Sequence, residues 1–257
     1  MNTILYIFIL GLGLIMGSFI NCIAWRVYKK ISITGRSFCP KCKHQINWYD
    51  NIPLISFLVL KARCRNCKKA ISSEYPIVEM VTGLLFVLVL YANPAISDMR
   101  SILILIRNFL VVVILMIIFI QDFKWYVILD KVSLPSIVLI FLFNILLGFN
   151  WLNLLISGII GGSFFLLQYI ISRGKWIGDG DIRLGVLMGV LLGWPEIILA
   201  LFLAYMIGAI VSVYLLSRRK KGLKSEVPMG TFLTPATLIS LLWGPEIIQW
   251  YMSLLYL

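Results

Sequence analysis

Charge is what this sequence has least of. Only 13% of its 257 residues are Asp, Glu, Lys or Arg, 61% are hydrophobic, and mean hydropathy is +0.97. A water-soluble domain carries about a quarter of its residues as charges, so a soluble domain, a disordered chain and a secreted disulfide scaffold are all excluded. The surplus apolar surface must face lipid. Histidine is scarcer still, with His44 standing alone. Neither Gly-x-Ser-x-Gly nor Gly-x-Gly-x-x-Gly occurs, so nothing indicates a serine nucleophile elbow or a dinucleotide-binding loop.

What is present is a series of long apolar runs. A spanning helix needs about 20 mostly apolar residues, and on that scale the chain has candidates near 3–24, 76–92, 105–121, 132–149, 152–172, 182–194, 197–216 and 230–243. The expectation is eight spans, the sixth and eighth short, with seven as the alternative. The apolar stretch from Ile247 to Leu257 can lengthen the eighth past Gly244-Pro245. Net charge is +12, which in a soluble protein would point to nucleic acid; here its distribution matters more. With eight spans, 21 of the 23 Lys and Arg fall in the odd-numbered connections, and only Arg100 and Arg107 fall opposite. The positive-inside rule then puts the N-terminus outside and the odd connections in the cytosol. Residues 1–20 lack a basic start, so this stretch reads as a retained first helix and not as a signal peptide.

The one long polar segment, residues 26–75, lies between the first two spans and carries Cys39-Pro40-Lys41-Cys42 and Cys64-Arg65-Asn66-Cys67. Two Cys-x-x-Cys pairs offer four soft thiolates on two tight turns, the donor set of a closed structural zinc site. A redox pair or unmetallated thiols are the alternatives, while a cytosolic location disfavours disulfides. So polar an insert also needs a staple to fold. Cys22 sits inside the first helix and reads as a packing residue.

The 11 acids are few enough to sort singly. Asp98, Glu196 and Glu246 read as solvated outer loops, and Asp50, Glu74 and Glu226 as solvated cytosolic ones. Asp122 ends the apolar run Val111–Ile120, and Asp181 opens the sixth span after Gly178-Asp179-Gly180; both sit at the cytosolic boundary. An ionisable group there is costly and marks a functional candidate, against the plainer reading of a helix end or N-cap. Two convergent carboxylates share a proton near neutral pH. That state suits amide hydrolysis, with the ionised acid as base toward water and the protonated one as donor to carbonyl and leaving amine.

With these residues in place the chain resembles the bacterial type IV prepilin peptidases, membrane aspartic proteases that often double as prepilin N-methyltransferases. The resemblance runs from Gly17 to about Pro235. Gly17-Ser18-Phe19-Ile20-Asn21-Cys22 is similar to the family's Gly-Ser-Phe-Leu-Asn-Val opening. The cysteine pairs, Trp48, Asn51-Ile52-Pro53-Leu54-Ile55-Ser56 and Tyr75-Pro76-Ile77-Val78-Glu79 match its zinc-binding region, and Gly178-Asp179-Gly180-Asp181 matches its Gly-x-Gly-Asp signature. The chain departs from the pattern at Ile128-Leu129-Asp130 for Ile-Pro-Asp, at Arg183 for a common Lys, and at Pro228-Met229-Gly230-Thr231 for Pro-Phe-Gly-Pro.

The resemblance implies Asp122 and Asp181 as catalytic acids framed by Gly178 and Gly180, with Asp179 an extra acid beside them. It implies as substrate a type IV prepilin or pseudopilin whose basic leader is cut after Gly on the cytosolic side, often just before Phe. It implies methyl transfer from S-adenosylmethionine to the new N-terminus, with Glu79 associated with that activity; the alternative for Glu79 is an acid favoured in a first helical turn after Pro76. The expected protein is thus an all-α polytopic membrane protein of about eight transmembrane helices in the bacterial cytoplasmic membrane, its active site facing the cytosol. Residues 1–25 form the first helix, 26–75 a small cytosolic four-cysteine zinc-binding insert, and 76–257 the peptidase core. A proton-coupled transporter built on the paired acids is the main alternative, and a zinc-bearing scaffold or nucleic-acid binder a weaker one, since positive-inside bias accounts for the basic insert.

Overall fold

The computed structural model describes residues 3–93, 98–217 and 227–255. Among them there is no β-strand beyond two isolated bridges, and the chain is all-α. The helices are α1 (Thr3–Tyr28), the short α2 (Ile55–Val59), α3 (Glu74–Ala92), α4 (Met99–Trp125), α5 (Asp130–Leu146), α6 (Trp151–Ser172), α7 (Asp179–Leu192), α8 (Glu196–Ser217) and α9 (Gly230–Leu255).

Eight of these correspond to the eight apolar runs. Six (α1, α3, α4, α6, α8 and α9) are long and apolar enough to cross a membrane. The other two are α5, with 17 residues, and α7, with 14, which at 1.5 Å per residue rise about 26 and about 21 Å against a hydrocarbon core of about 30 Å. The shortness expected of the sixth run is therefore found, and the eighth is lengthened by its apolar tail into a 26-residue helix that continues through Pro235 and Pro245. Glu246 accordingly lies within α9 and not in a loop, because its apolar flanks extend the helix past the proline. The basic cluster Arg218, Arg219, Lys220, Lys221 and Lys224, with Glu226, lies outside the described residues.

The chain divides into two compact units, Met1–Ile117 and Ile118–Leu257. In the first, α1 and α3 pack backbone to backbone. A Cβ on Gly13 would fall 2.7 Å from Gly83 Cα, and one on Gly17 would fall 2.6 Å from Glu79 Cα. Such contact through small residues is how helices associate where no hydrophobic drive separates protein from lipid. Phe86 of α3 stacks on Phe109 of α4, centroids 4.6 Å apart. In the second unit, α6 and α7 meet through Gly161, Gly185 and Gly189, where any side chain would overlap the facing main chain. Asn144 of α5 donates to the carbonyl oxygens of Val190 and Leu191 at the end of α7. These contacts hold α7 from two sides, and α7 carries Asp181 on its first turn.

Candidate functional site

Asp122 sits in the last turn of α4, where a carboxylate faces the negative end of its own helix dipole, an unfavourable place. The structure compensates from another helix. The first turn of α9 points its free N–H groups at the side chain: Thr231 N–H donates to Asp122 Oδ2 at 2.9 Å, and the Gly230 N–H also binds it. A helix N-terminus is a natural anion site. Gly230 leaves room for the carboxylate, since a Cβ would lie 2.8 Å from Asp122 Oδ2 and would displace it. The Thr231 hydroxyl turns away and donates to the Pro228 carbonyl at 2.6 Å. Asp122 is only 5% exposed.

Asp181 is the third residue of α7 and is 7% exposed. Its Oδ2 accepts the N–H of Gly178 at 3.2 Å, so the side chain closes the glycine turn that launches its helix. Gly180 lets this turn sit against the segment before α5: a Cβ there would lie 2.8 Å from Ile128 Cβ. Ile128 also reaches Gly230, its Cδ1 standing 3.2 Å from the place of a Cβ. The Asp122 carboxylate is close enough for its charge to act on Asp181. Two buried carboxylates are thus gathered at the end of α4 and the starts of α7 and α9, with Ile128 packed between the two glycines.

The neighbouring charges lie outside this cradle. Asp179, in the variable place of the glycine motif, is exposed and takes a hydrogen bond from Arg183 at 2.6 Å, one helical turn on. Arg183 also pairs with Asp130 at the start of α5. Gln121 is fully buried beside Asp122; its Oε1 accepts the Leu129 N–H and its Nε2 has no partner among the described residues. The roles of Thr231, Gly230, Ile128 and Gln121 were not legible in the sequence. The one signal was the Pro228-Met229-Gly230-Thr231 motif, which gave no hint of what it touches.

The insert is built on a repeated turn. In residues 37–46 the Cys39 N–H donates to the His44 carbonyl, Lys43 N–H to Cys39, and Ile46 N–H to Ser37; in residues 62–71 the same bonds run from Cys64 to Lys69, Lys68 to Cys64, and Ile71 to Ala62. Lys43 and Lys68 share a left-handed φ of 58° and 56°. Lys41 Nζ joins the halves by donating to the Ala70 carbonyl at 2.7 Å. The ligand atoms of Cys39, Cys42, Cys64 and Cys67 lie within 4.8 Å of one another, and a tetrahedral zinc with bonds of about 2.3 Å needs sulfurs about 3.8 Å apart. The cluster fits structural zinc. The Cys67 N–H aimed at the Cys64 sulfur draws that thiol down to about 7, and the His44 N–H lowers Cys42, which favours thiolate ligands. Although the Lys69 N–H acts in the opposite sense, desolvation and the neighbouring thiols push Cys67 up to about 11. His44 is exposed and contributes its backbone carbonyl, as a turn residue should.

Two further residues fasten the insert to its helices. Arg26, buried at the end of α1, donates to the carbonyls of Ser32, Ile33, Thr34 and Arg36 at 2.8 to 3.2 Å. Glu79 is buried on α3, and its Oε2 accepts the N–H of Leu54 at 2.9 Å with the Ser18 hydroxyl as a second partner. Leu54 has φ 60°, a region costly to a residue with a Cβ, and the Glu79 bond helps hold it there. This bond gives Glu79 a structural part at the base of the insert, while its association with S-adenosylmethionine rests on the resemblance alone.

Comparison with known proteins bears on both regions. Residues 11–93 match the Bacterial Peptidase A24 N-terminal domain and residues 109–213 the Type IV leader peptidase family. The chain is 35% identical over 224 residues to a prepilin leader peptidase/N-methyltransferase of Aeromonas salmonicida, which covers 85% of this chain and 75% of that protein. To those of Aeromonas hydrophila and Pseudomonas aeruginosa it is 34% identical over 223 residues (85% and 75% covered) and 28% over 271 (94% and 91%). No solved structure matches. The cysteines and Glu79 fall in the first matched segment and both aspartates in the second; Thr231 lies beyond either.

Proposed function

The chain belongs to the prepilin leader peptidase/N-methyltransferase family, and we propose that its leader-cleaving chemistry is carried by Asp122 and Asp181. The observation that bears most weight is the burial of both carboxylates where the end of α4 meets the starts of α7 and α9, each steadied by main-chain N–H donation. One acid is ionised and takes a proton from water as its oxygen attacks the scissile carbonyl carbon. The other, protonated, donates a hydrogen bond to the carbonyl oxygen, keeps its proton as the tetrahedral intermediate forms, and passes it to the leaving nitrogen as the C–N bond breaks. The dyad ends as it began, with one proton between two carboxylates. Gly178 and Gly180 frame Asp181, and Asp179 stays outside with Arg183.

The substrate is a type IV prepilin or pseudopilin. The basic residues of the odd connections support a cytosolic site at the inner membrane, with the N-terminus outside. The pilin's apolar segment remains in lipid while the bond to be cut unwinds, because a helix ties each carbonyl into its own ladder. Cys39, Cys42, Cys64 and Cys67 hold one zinc that folds the insert. S-adenosylmethionine supplies the methyl group for the family's second activity, and Glu79 supports the insert loop as an anchor. Family membership leaves the transporter reading without support.

The test is co-expression with a candidate prepilin in a host lacking its own peptidase, followed by the mass and N-terminal sequence of the product. Cleavage after the leader's last Gly that vanishes in Asp122→Asn and in Asp181→Asn supports the dyad. Normal processing by either variant would falsify it.

A further inference from the structure

The insert carries an apolar face that neither the zinc cluster nor the aspartates use. On α2, Ile55, Leu58 and Val59 recur at the spacing that places side chains on one face of a helix, and they are 58%, 73% and 69% exposed. Trp48, on the turn just before, is 75% exposed. The Ser56 hydroxyl, shared between the Ile52 carbonyl at 2.6 Å and the Tyr49 carbonyl at 3.2 Å, ties that turn to α2. An exposed cluster of this kind in an otherwise polar segment marks an interaction surface.

We propose that this face rests in the headgroup layer of the anionic leaflet of the protein's own membrane. Three observations select lipid as the occupant. The insert leaves α1 at Tyr28 and rejoins α3 at Glu74, two membrane-crossing helices packed side by side, so both of its ends are held at one bilayer surface. Its residues 26–75 carry 11 Lys and Arg against only Asp50 and Glu74, and Asp50 is already paired with Arg65 at 2.7 Å. That excess is drawn to anionic headgroups and repels a basic peptide. Lys61 and Arg63 follow α2 directly, and an exposed Trp beside aliphatic side chains is the composition of the membrane interface.

The test uses the full chain reconstituted in bilayers with brominated acyl chains, which quench tryptophan at short range. Trp48 emission is taken as wild type minus Trp48→Phe. In bilayers containing phosphatidylglycerol this emission should be quenched by bromine and shielded from aqueous iodide. It should regain iodide access in Leu58→Asp/Val59→Asp with zinc content unchanged, which separates loss of docking from loss of fold. Raising salt to about 1 M, where screening acts within about 3 Å, should weaken the bromine quenching. Trp48 open to iodide and untouched by bromine overturns the proposal, as does shielding that arises only when a prepilin is added, which would make the face a protein site. No step depends on peptide cleavage, so the result stands apart from the fate of the dyad.

Discussion

The cysteine cluster and the aspartate pair solve opposite problems with the same donor. In the insert, main-chain N–H groups close two turns that lie near water, and four thiols are brought together with little apolar burial around them. In the second unit, main-chain N–H groups from α7 and α9 reach carboxylates already walled in by helix packing. The zinc proposed for the first region would complete its fold, as metals at thiolate sites generally do. The second has its fold before any chemistry is asked of it. Damage should therefore read out differently: as lost structure in the insert and as lost rate at the aspartates.

The largest effect expected is from Asp122→Asn or Asp181→Asn. An amide keeps size and polarity but neither takes nor gives the proton, so cleavage should fall by at least about 10²- to 10⁴-fold, with membrane insertion and zinc content intact. Asp179→Asn should process prepilin near the wild-type rate, since that side chain points outward to Arg183. Prepilin processing in membranes, quantified beside protein level, checks all three.

Next in size, serine at Cys39, Cys42, Cys64 or Cys67 should lower zinc content and expose the insert to protease, because removing one thiolate breaks a ligand set coupled to folding. Metal analysis and limited proteolysis read this out. Unchanged zinc in all four variants would remove the structural role assigned here.

Smaller again, Thr231→Pro deletes one of the two amides that hold Asp122 in a first helical turn, where proline is otherwise tolerated. A hydrogen bond to a charged group is worth about 1.5–3 kcal/mol, but Gly230 N–H remains, so the turnover rate should drop by about tenfold rather than disappear. Thr231→Val keeps the amide and should cleave as the wild type does. Equal losses in the two variants would show that the hydroxyl, or packing, matters instead.

The smallest effect belongs to Asp50→Asn. Arg65 holds the Asp50 carboxyl below the usual carboxylate range, chiefly by its paired hydrogen bonds. A depressed folded value means the contribution is present above the unfolded value and is lost as pH falls through the folded one. The variant should be slightly more protease-sensitive than wild type at pH about 7 and indistinguishable from it well below pH about 3.9. A gap that widens with acid would contradict the assignment.

Much of this was legible in the sequence because it is local. Eight apolar runs gave eight helices, and two Cys-x-x-Cys pairs gave two matching turns, since a knuckle is decided within ten residues. The aspartates stood out because a charge beside an unbroken apolar run has few innocent explanations. What could not be read was everything that depends on distant chain: that Thr231 would meet Asp122 across 109 residues, that Ile128 would fill the space left by Gly180 and Gly230, or that Arg26 would gather four carbonyls. In the sequence the end of α9 stays open between Gly244-Pro245 and the apolar stretch beyond, and that stretch carries the helix on to Leu255.

A contact made by the main chain at 231 has a particular signature under random mutagenesis. Nineteen of the twenty amino acids supply the same N–H, so every substitution there except proline keeps the bond to Asp122, and what separates the rest is the room at a buried position. Only the residue without that hydrogen removes the bond itself, and it is the residue the family pattern places at this point. Here Asp122 is held by two backbone amides where a proline-bearing relative would have one, a difference that no side-chain scan by alanine would reveal.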